Sequence, residues 1–233
     1  MTADLPAHLR AVLPASAQTV WRALAGNLPI GAYLVGGTGI AAHLGHRVSR
    51  DLDFFVPQPF DPTRLASRLE QLGSFAATQL EPGTLNGYLN DTKLQFLDTH
   101  QQHPIEPTAV IGGIPVAGLG DLLATKLEVI GDRGELRDYF DLLALERDAG
   151  RRVEEGLALF LERYRTATPD AAVLHIVRGL GYFADVADDP ALPMSRTDIE
   201  NHWTRRQPEV VRALDRLGLT NQPPPSRGPE LAT

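Results

Sequence analysis

The stretch VGGTGIAAHLGHRVSRDLDFF, Val35–Phe55, decides how this chain is read. Ala32 to Val35 is a short apolar run ending in Gly36-Gly37, the pattern of a buried strand entering a tight turn. Thr38 to Leu44 suits a short helix. Asp51 to Val56 suits a second strand, stopped by Pro57 and Pro59. Strand side chains alternate between faces, so Asp51 and Asp53 are expected on one side while Leu52 points into the core. Two carboxylates so placed form a platform for Mg²⁺, a hard cation that takes oxygen ligands and substrate phosphates. Gly36 and Gly37 permit a close turn, and the Thr38 hydroxyl with nearby N–H groups can hold a phosphate at a helix N-terminus. A Gly-Gly pair alone is usually a turn, and Asp-x-Asp alone is usually a solvated strand end. Their order after a strand makes the combination specific.

On the N-terminal side, Val20, Leu24 and Leu28 recur at helical spacing after Ser16 and predict a first helix. On the C-terminal side, Asp61-Pro62 predicts a helix start, with Asp as N-cap and Pro at the first helical position, running to about Leu72. Residues 75–117 read as strands and turns, with turn signals at Pro82-Gly83, Asn86-Gly87 and Gly112-Gly113 and alternation over Lys93 to Leu97. From Leu119 the pattern becomes helical. Helices are expected from there to near Gly131, over Leu136 to Leu145, and over 153–165, 169–184 and 208–217. The expectation is an α+β chain: a mixed sheet with flanking helices over residues 1–118, a helical bundle over 119–219, and a disordered tail over 220–233.

The central stretch resembles the Gly-Gly-Ser/Thr…Ser-x-Asp-x-Asp-Phe signature of the nucleotidyltransferase superfamily, whose fold is like that of DNA polymerase beta. The fuller string through Gly45-His46-Arg47 and Ser49 is similar to the AbiEii/AbiGii toxin branch. A second match follows at Asp121-Leu122-Leu123-Ala124-Thr125-Lys126-Leu127 and Arg137-Asp138-Tyr139-Phe140-Asp141-Leu142. Together the matches cover about residues 30–145. The resemblance implies that Asp51, Lys126 and Asp141 matter for activity, with Arg47 and Ser49 beside the nucleotide. It also implies an RNA acceptor, such as a tRNA 3′ end, and a toxin paired with an antitoxin. Asp138 and Asp141 are three apart and share a helix face. A short connection around 131–134 would fold that helix back beside Lys126, with Asp141 positioning either the lysine or the acceptor hydroxyl.

The expected chemistry is therefore transfer of a nucleotide from an NTP with release of pyrophosphate. Asp51 and Asp53 hold Mg²⁺, Gly36, Gly37, Thr38 and Ser49 cradle phosphates, and Arg47 and Lys126 neutralise charge. Asp141 assists the acceptor or orients Lys126, with Asp138 second in that role. Many nucleotidyltransferases carry a third acid on a later strand. Here Gln95 stands where it is expected, flanked by Asp91 and Asp98, which puts a two-metal mechanism in doubt.

Other readings carry less. Gly37-Thr38-Gly39-Ile40-Ala41-Ala42 fits a loose dinucleotide fingerprint, but the acids begin the next strand instead of ending it. No Walker A lysine loop, zinc-protease motif or Gly-x-Ser-x-Gly elbow is present. His43 and His46 read as surface or satisfied residues. Arg147, Arg151 and Arg152 read as a solvated helix end or an RNA contact. The net charge of −7 does not suit a general nucleic-acid binder, so RNA contact must be local. The chain lacks cysteine, a signal-peptide pattern and any apolar run long enough to span a bilayer, and a cytoplasmic location is expected. The rival readings are a small-molecule nucleotidyltransferase of the aminoglycoside type and a non-catalytic module that binds NTP or a protein.

Overall fold

A computed structural model describes residues 4–216. The tail expected from Thr220 lies outside them. The N-terminal part runs α1 (Ala7–Val12), α2 (Ala15–Leu24), β1 (Tyr33–Val35), α3 (Gly36–Leu44), β2 (Leu52–Val56) and α4 (Pro62–Glu70). Five further strands follow: β3 (Phe75–Glu81), β4 (Thr84–Leu89), β5 (Thr92–Asp98), β6 (Ala109–Ile111) and β7 (Ile114–Val116). The remainder is helical: α5 (Leu119–Arg133), α6 (Leu136–Ala149), α7 (Val153–Tyr164), α8 (Pro169–Leu180) and α9 (Arg196–Arg216). The strands form one mixed sheet in the order β3-β4-β5-β2-β1-β7-β6. β1 is antiparallel to β2 and parallel to β7, and β2 is parallel to β5.

The burial of the strands explains their sequences. Leu52, Phe54 and Val56 of β2 enter a core with Leu94 and Phe96 of β5 and with α2 and α4. Asp53 and Phe55 face the other way, so the alternation expected for this strand holds. β1 is covered on both faces. Leu34 joins that first core, while Tyr33 and Val35 join a second built mainly from α5 to α9. That is why β1 reads as a continuous apolar run.

The Asp61 carboxylate accepts from the Thr63 and Arg64 amides, as its position predicts, although the helix ends at Glu70. Pro82-Gly83 and Gly112-Gly113 do lie between paired strands. Asn86-Gly87 does not turn the chain. Both residues lie inside β4, paired to β3 and β5, and the Phe75 ring fills the space where a Cβ at position 87 would go. The turn falls at Asn90-Asp91, both at positive φ. Three helix expectations also change. α9 begins at Arg196 and continues through Pro208, and α8 ends at Leu180, which leaves residues 181–195 as a connection of turns and bends. α5 passes Gly131 to Arg133, and only Gly134 and Glu135 separate it from α6.

Candidate active site

Asp51 directly precedes β2, and Asp53 sits on it opposite Val35, the residue before Gly36-Gly37. Both carboxylates face a cavity of about 670 Å³ enclosed by β1, β2, β5, α5, the start of α6 and the 181–195 connection. Neither accepts a hydrogen bond or forms an ion pair among the described residues. Burial, and then the neighbouring Asp51 charge, push the Asp53 carboxyl up to about 6. Two adjacent, unpaired carboxylates open to a polar cavity are the donor chemistry a hard divalent cation takes, so this site fits Mg²⁺. Gln95 is in register with Asp53 on the parallel neighbour β5. The third-acid position is thus a neutral amide, and among the described residues no cluster of three acids or histidines is arranged to hold a metal. Asp98 instead accepts from the backbone and ring of His100.

Gly36 has φ +67°, and a Cβ there would lie 2.7 Å from Asp53 Oδ2. A Cβ on Gly37 would collide with the Arg47 guanidinium. The glycine pair is therefore the space in which Asp53 and Arg47 stand. Gly36→Ala is expected to cost roughly 1–2 kcal/mol for the left-handed backbone alone. Displacing Asp53 should cut any transfer activity at least about tenfold, since one bond-length of misplacement has effects of this order. Paired denaturation and activity assays measure both, and an unchanged activity would remove Gly36 from the site.

Thr38 is not on the cavity wall. It is 1% exposed, and its hydroxyl bonds the Ser49 hydroxyl and the Asp51 carbonyl oxygen. It latches the start of α3 to the loop that delivers the carboxylates. Ser49 is buried but does line the cavity.

Asp141 is fully buried and carries four close contacts. Its Oδ1 accepts from Arg47 Nε (2.6 Å) and His46 Nε2 (2.7 Å), and its Oδ2 from Arg47 Nη2 (2.8 Å). Lys126 Nζ stands 2.9 Å from Oδ2. Burial alone would raise its proton affinity, but Lys126 and Arg47 overwhelm that and hold the carboxyl far below the usual range. An ionised Asp141 only accepts, so His46 carries its proton on Nε2. Burial opposes the Lys126 charge, but Asp141 and Asp138 outweigh it and raise its proton affinity. Asp138 Oδ1 takes the same ammonium at 2.8 Å, while its Oδ2 caps α6 through the Glu135 amide. Lys126 and Asp138 line the cavity; Asp141 does not reach it.

Several wall residues escaped the sequence reading. Arg50 lies on the wall, exposed and without an ion-pair partner among the described residues. Arg137 also lines it, half-exposed and paired to Glu135. Asp189, Ala191 and Leu192 close one side from the 181–195 connection. Tyr139 Oη anchors that segment, within bonding distance of the Gly179 and Tyr182 carbonyls (2.8 and 2.9 Å). Arg50 adjoins the Asp-x-Asp pair and could have been suspected; the connection had no local signal. Arg147, Arg151 and Arg152 are each paired with acids and do not line the cavity.

A strand leading through Gly-Gly into a helix, with a carboxylate pair at the start of the antiparallel neighbour, is the fold of a nucleotidyltransferase. Two solved structures share the fold. One is MenT4, a nucleotidyltransferase toxin of Mycobacterium tuberculosis H37Rv (TM-score 0.56, 14% identity, 93% of this chain and 90% of that one). The other is a candidate nucleotidyltransferase from H. pylori (TM-score 0.52, 18% identity, 90% and 96%). An uncharacterized protein of Aquifex aeolicus (strain VF5) is 30% identical over 73% of this chain and 80% of its own length. Residues 22–226 match the family described as nucleotidyl transferase AbiEii toxin, Type IV TA system, and the chain belongs to that family. It is a nucleotidyltransferase of toxin type.

Proposed function

We propose that the protein transfers a nucleoside monophosphate from an NTP to the 3′ hydroxyl of an RNA, with a tRNA end as the leading acceptor, and that an antitoxin restrains it. The observation that supports this best is the Asp51–Asp53 couple, unpaired among the described residues, facing a cavity whose wall also presents Lys126 and Arg47. Mg²⁺ held by Asp51 and Asp53 would neutralise triphosphate charge and fix its orientation. Arg50, Arg137 and Lys126 supply positive charge toward the phosphates, and Ser49 supplies a hydroxyl beside them. Asp141, closed off from the cavity, holds Lys126 and Arg47 in place and does not itself meet the acceptor. The acceptor oxygen bonds to the α-phosphorus as the α–β bridging bond breaks. Pyrophosphate leaves with that electron pair, and the hydroxyl proton passes to water.

The deciding experiment incubates the protein and Asp51→Ala with Mg²⁺, each labelled NTP in turn, and total tRNA. Label should reach RNA with the intact protein and fall by about 100-fold or more in the variant, the scale for removing a preorganised electrostatic group. NTP binding without label on any RNA would overturn the RNA acceptor and move the reading to small-molecule acceptors.

A further inference from the structure

The sheet order gives Asp53 two different flanks. β1, with Gly36-Gly37, α3 and the Lys126-bearing α5, lies on one flank of β2; β5, β4 and β3 lie on the other. If the triphosphate occupies the first flank, the second is left for the acceptor. On that flank α2 and α4 cover the apolar face, which carries Leu94, Phe96, Leu85 and Leu89. The opposite face continues the cavity wall through Gln95 and Leu97. From Asp53 it runs outward in register through Gln95 of β5 and Asn86 of β4 to Gln79 of β3. Adjacent strands lie about 4.8 Å apart, so Gln79 stands about 14 Å from Asp53 along this row. Asn86 Nδ2 donates to Gln79 Oε1 (2.7 Å); among the described residues Asn86 Oδ1, which is buried, has no partner and Gln95 makes no hydrogen bond.

Beside that row, Tyr88 and Lys93 are directly opposite each other on β4 and β5. Tyr88 is 46% exposed on this face of the sheet. Lys93, one of only two lysines in the chain, is exposed and has no ion pair among the described residues. An exposed ring, a free cation and a line of amides on a sheet are the parts with which proteins hold single-stranded nucleic acid: bases stack, phosphates pair and base edges bond.

We infer that this open face of β5, β4 and β3 is the platform on which a single-stranded RNA 3′ end lies as it enters beside Asp53, with Tyr88 under a base and Lys93 at a phosphate. The inference rests on the RNA reading above. Lys93 at the entrance also disfavours a cationic small molecule, which it would repel.

The test measures binding apart from chemistry. A fluorescent single-stranded oligoribonucleotide with a free 3′ hydroxyl is titrated into the intact protein, Tyr88→Ala, Tyr88→Phe and Lys93→Ala, with Mg²⁺–NTP binding measured in parallel. Tyr88→Ala should weaken RNA binding on the order of tenfold, and Tyr88→Phe should restore it, because the ring stacks and the hydroxyl does not. Lys93→Ala should lower the salt dependence by about one phosphate contact. NTP affinity should stay constant throughout. RNA affinity unchanged in both alanine variants, or no RNA binding by the intact protein, would overturn the platform. The failures separate: transfer to RNA with unaltered Tyr88 and Lys93 variants sinks this inference alone, whereas transfer to no RNA sinks the function above, whatever the oligonucleotide does.

Discussion

Asp53→Asn is expected to abolish nucleotide transfer and, at neutral pH, to make the folded protein more stable. The loss of activity should be about 100-fold or more, since the substitution removes one of the two carboxylates that face the cavity. The gain in stability follows from the position of that carboxyl. In the folded protein it titrates near 6, against an ordinary 3.8, because burial and then Asp51 penalise its charge. The folded state therefore holds a proton that the unfolded chain has already released between about pH 4 and pH 6. Stability declines across that window as pH rises, and the whole penalty is present above it. A neutral asparagine never incurs the penalty. At pH 7.5 without metal, the variant should gain roughly 1–3 kcal/mol, which is a rise of several degrees in Tm for a chain of this size. Below about pH 4 the two proteins should melt together. Parallel thermal melts from pH 3.5 to 8 check this, and parallel curves for the two proteins would show that Asp53 carries no such strain. Mg²⁺ should narrow the gap at neutral pH by binding the intact pair alone.

Asp141→Ala is expected to be among the most destabilising single substitutions in the chain. The carboxylate is fully buried and takes Arg47, His46 and Lys126 together. Removing it leaves two buried cations without their shared counter-charge, a defect that typically costs 3–5 kcal/mol. Asp138 still holds Lys126, so the loss falls hardest on Arg47 and His46, whose Nδ1 already lacks a partner among the described residues. Urea unfolding should show the loss, with transfer activity abolished in whatever fraction remains folded. Arg47→Met combined with Asp141→Leu should be less destabilising than Asp141→Ala, because it also removes the cation that the single variant strands, while Asp138 still holds Lys126. A cost below about 1 kcal/mol for Asp141→Ala would mean that water reaches the cluster and screens it.

The sequence by itself determined the parts whose signals are local. Alternation set Asp53 against Leu52, Asp61-Pro62 marked a helix start, and Gly36-Gly37 after an apolar run marked the turn into α3. The spacing of Lys126, Asp138 and Asp141 over a short connection was enough to expect one cluster, and the structure brings the three together. The tertiary structure alone decided whatever depends on partners distant in the chain. Asn86-Gly87 has the composition of a turn, yet ladders to β3 and β5 on either side keep it in a strand. Pro208 has the composition of a helix start, yet Trp203 and Val210 on the same helix are both buried in the core, and α9 runs straight through it. Thr38 looks like a phosphate ligand from its place at a helix N-terminus, but Ser49 and Asp51 turn its hydroxyl inward. Asp141 reads equally as a base or a brace from sequence. Arg47 and His46 from α3's exit loop and Lys126 from α5 converge on it and leave it no face toward the cavity, which supports the brace. Periodicity and capping are written in neighbouring residues, whereas register, burial and charge pairing are set only when remote segments meet.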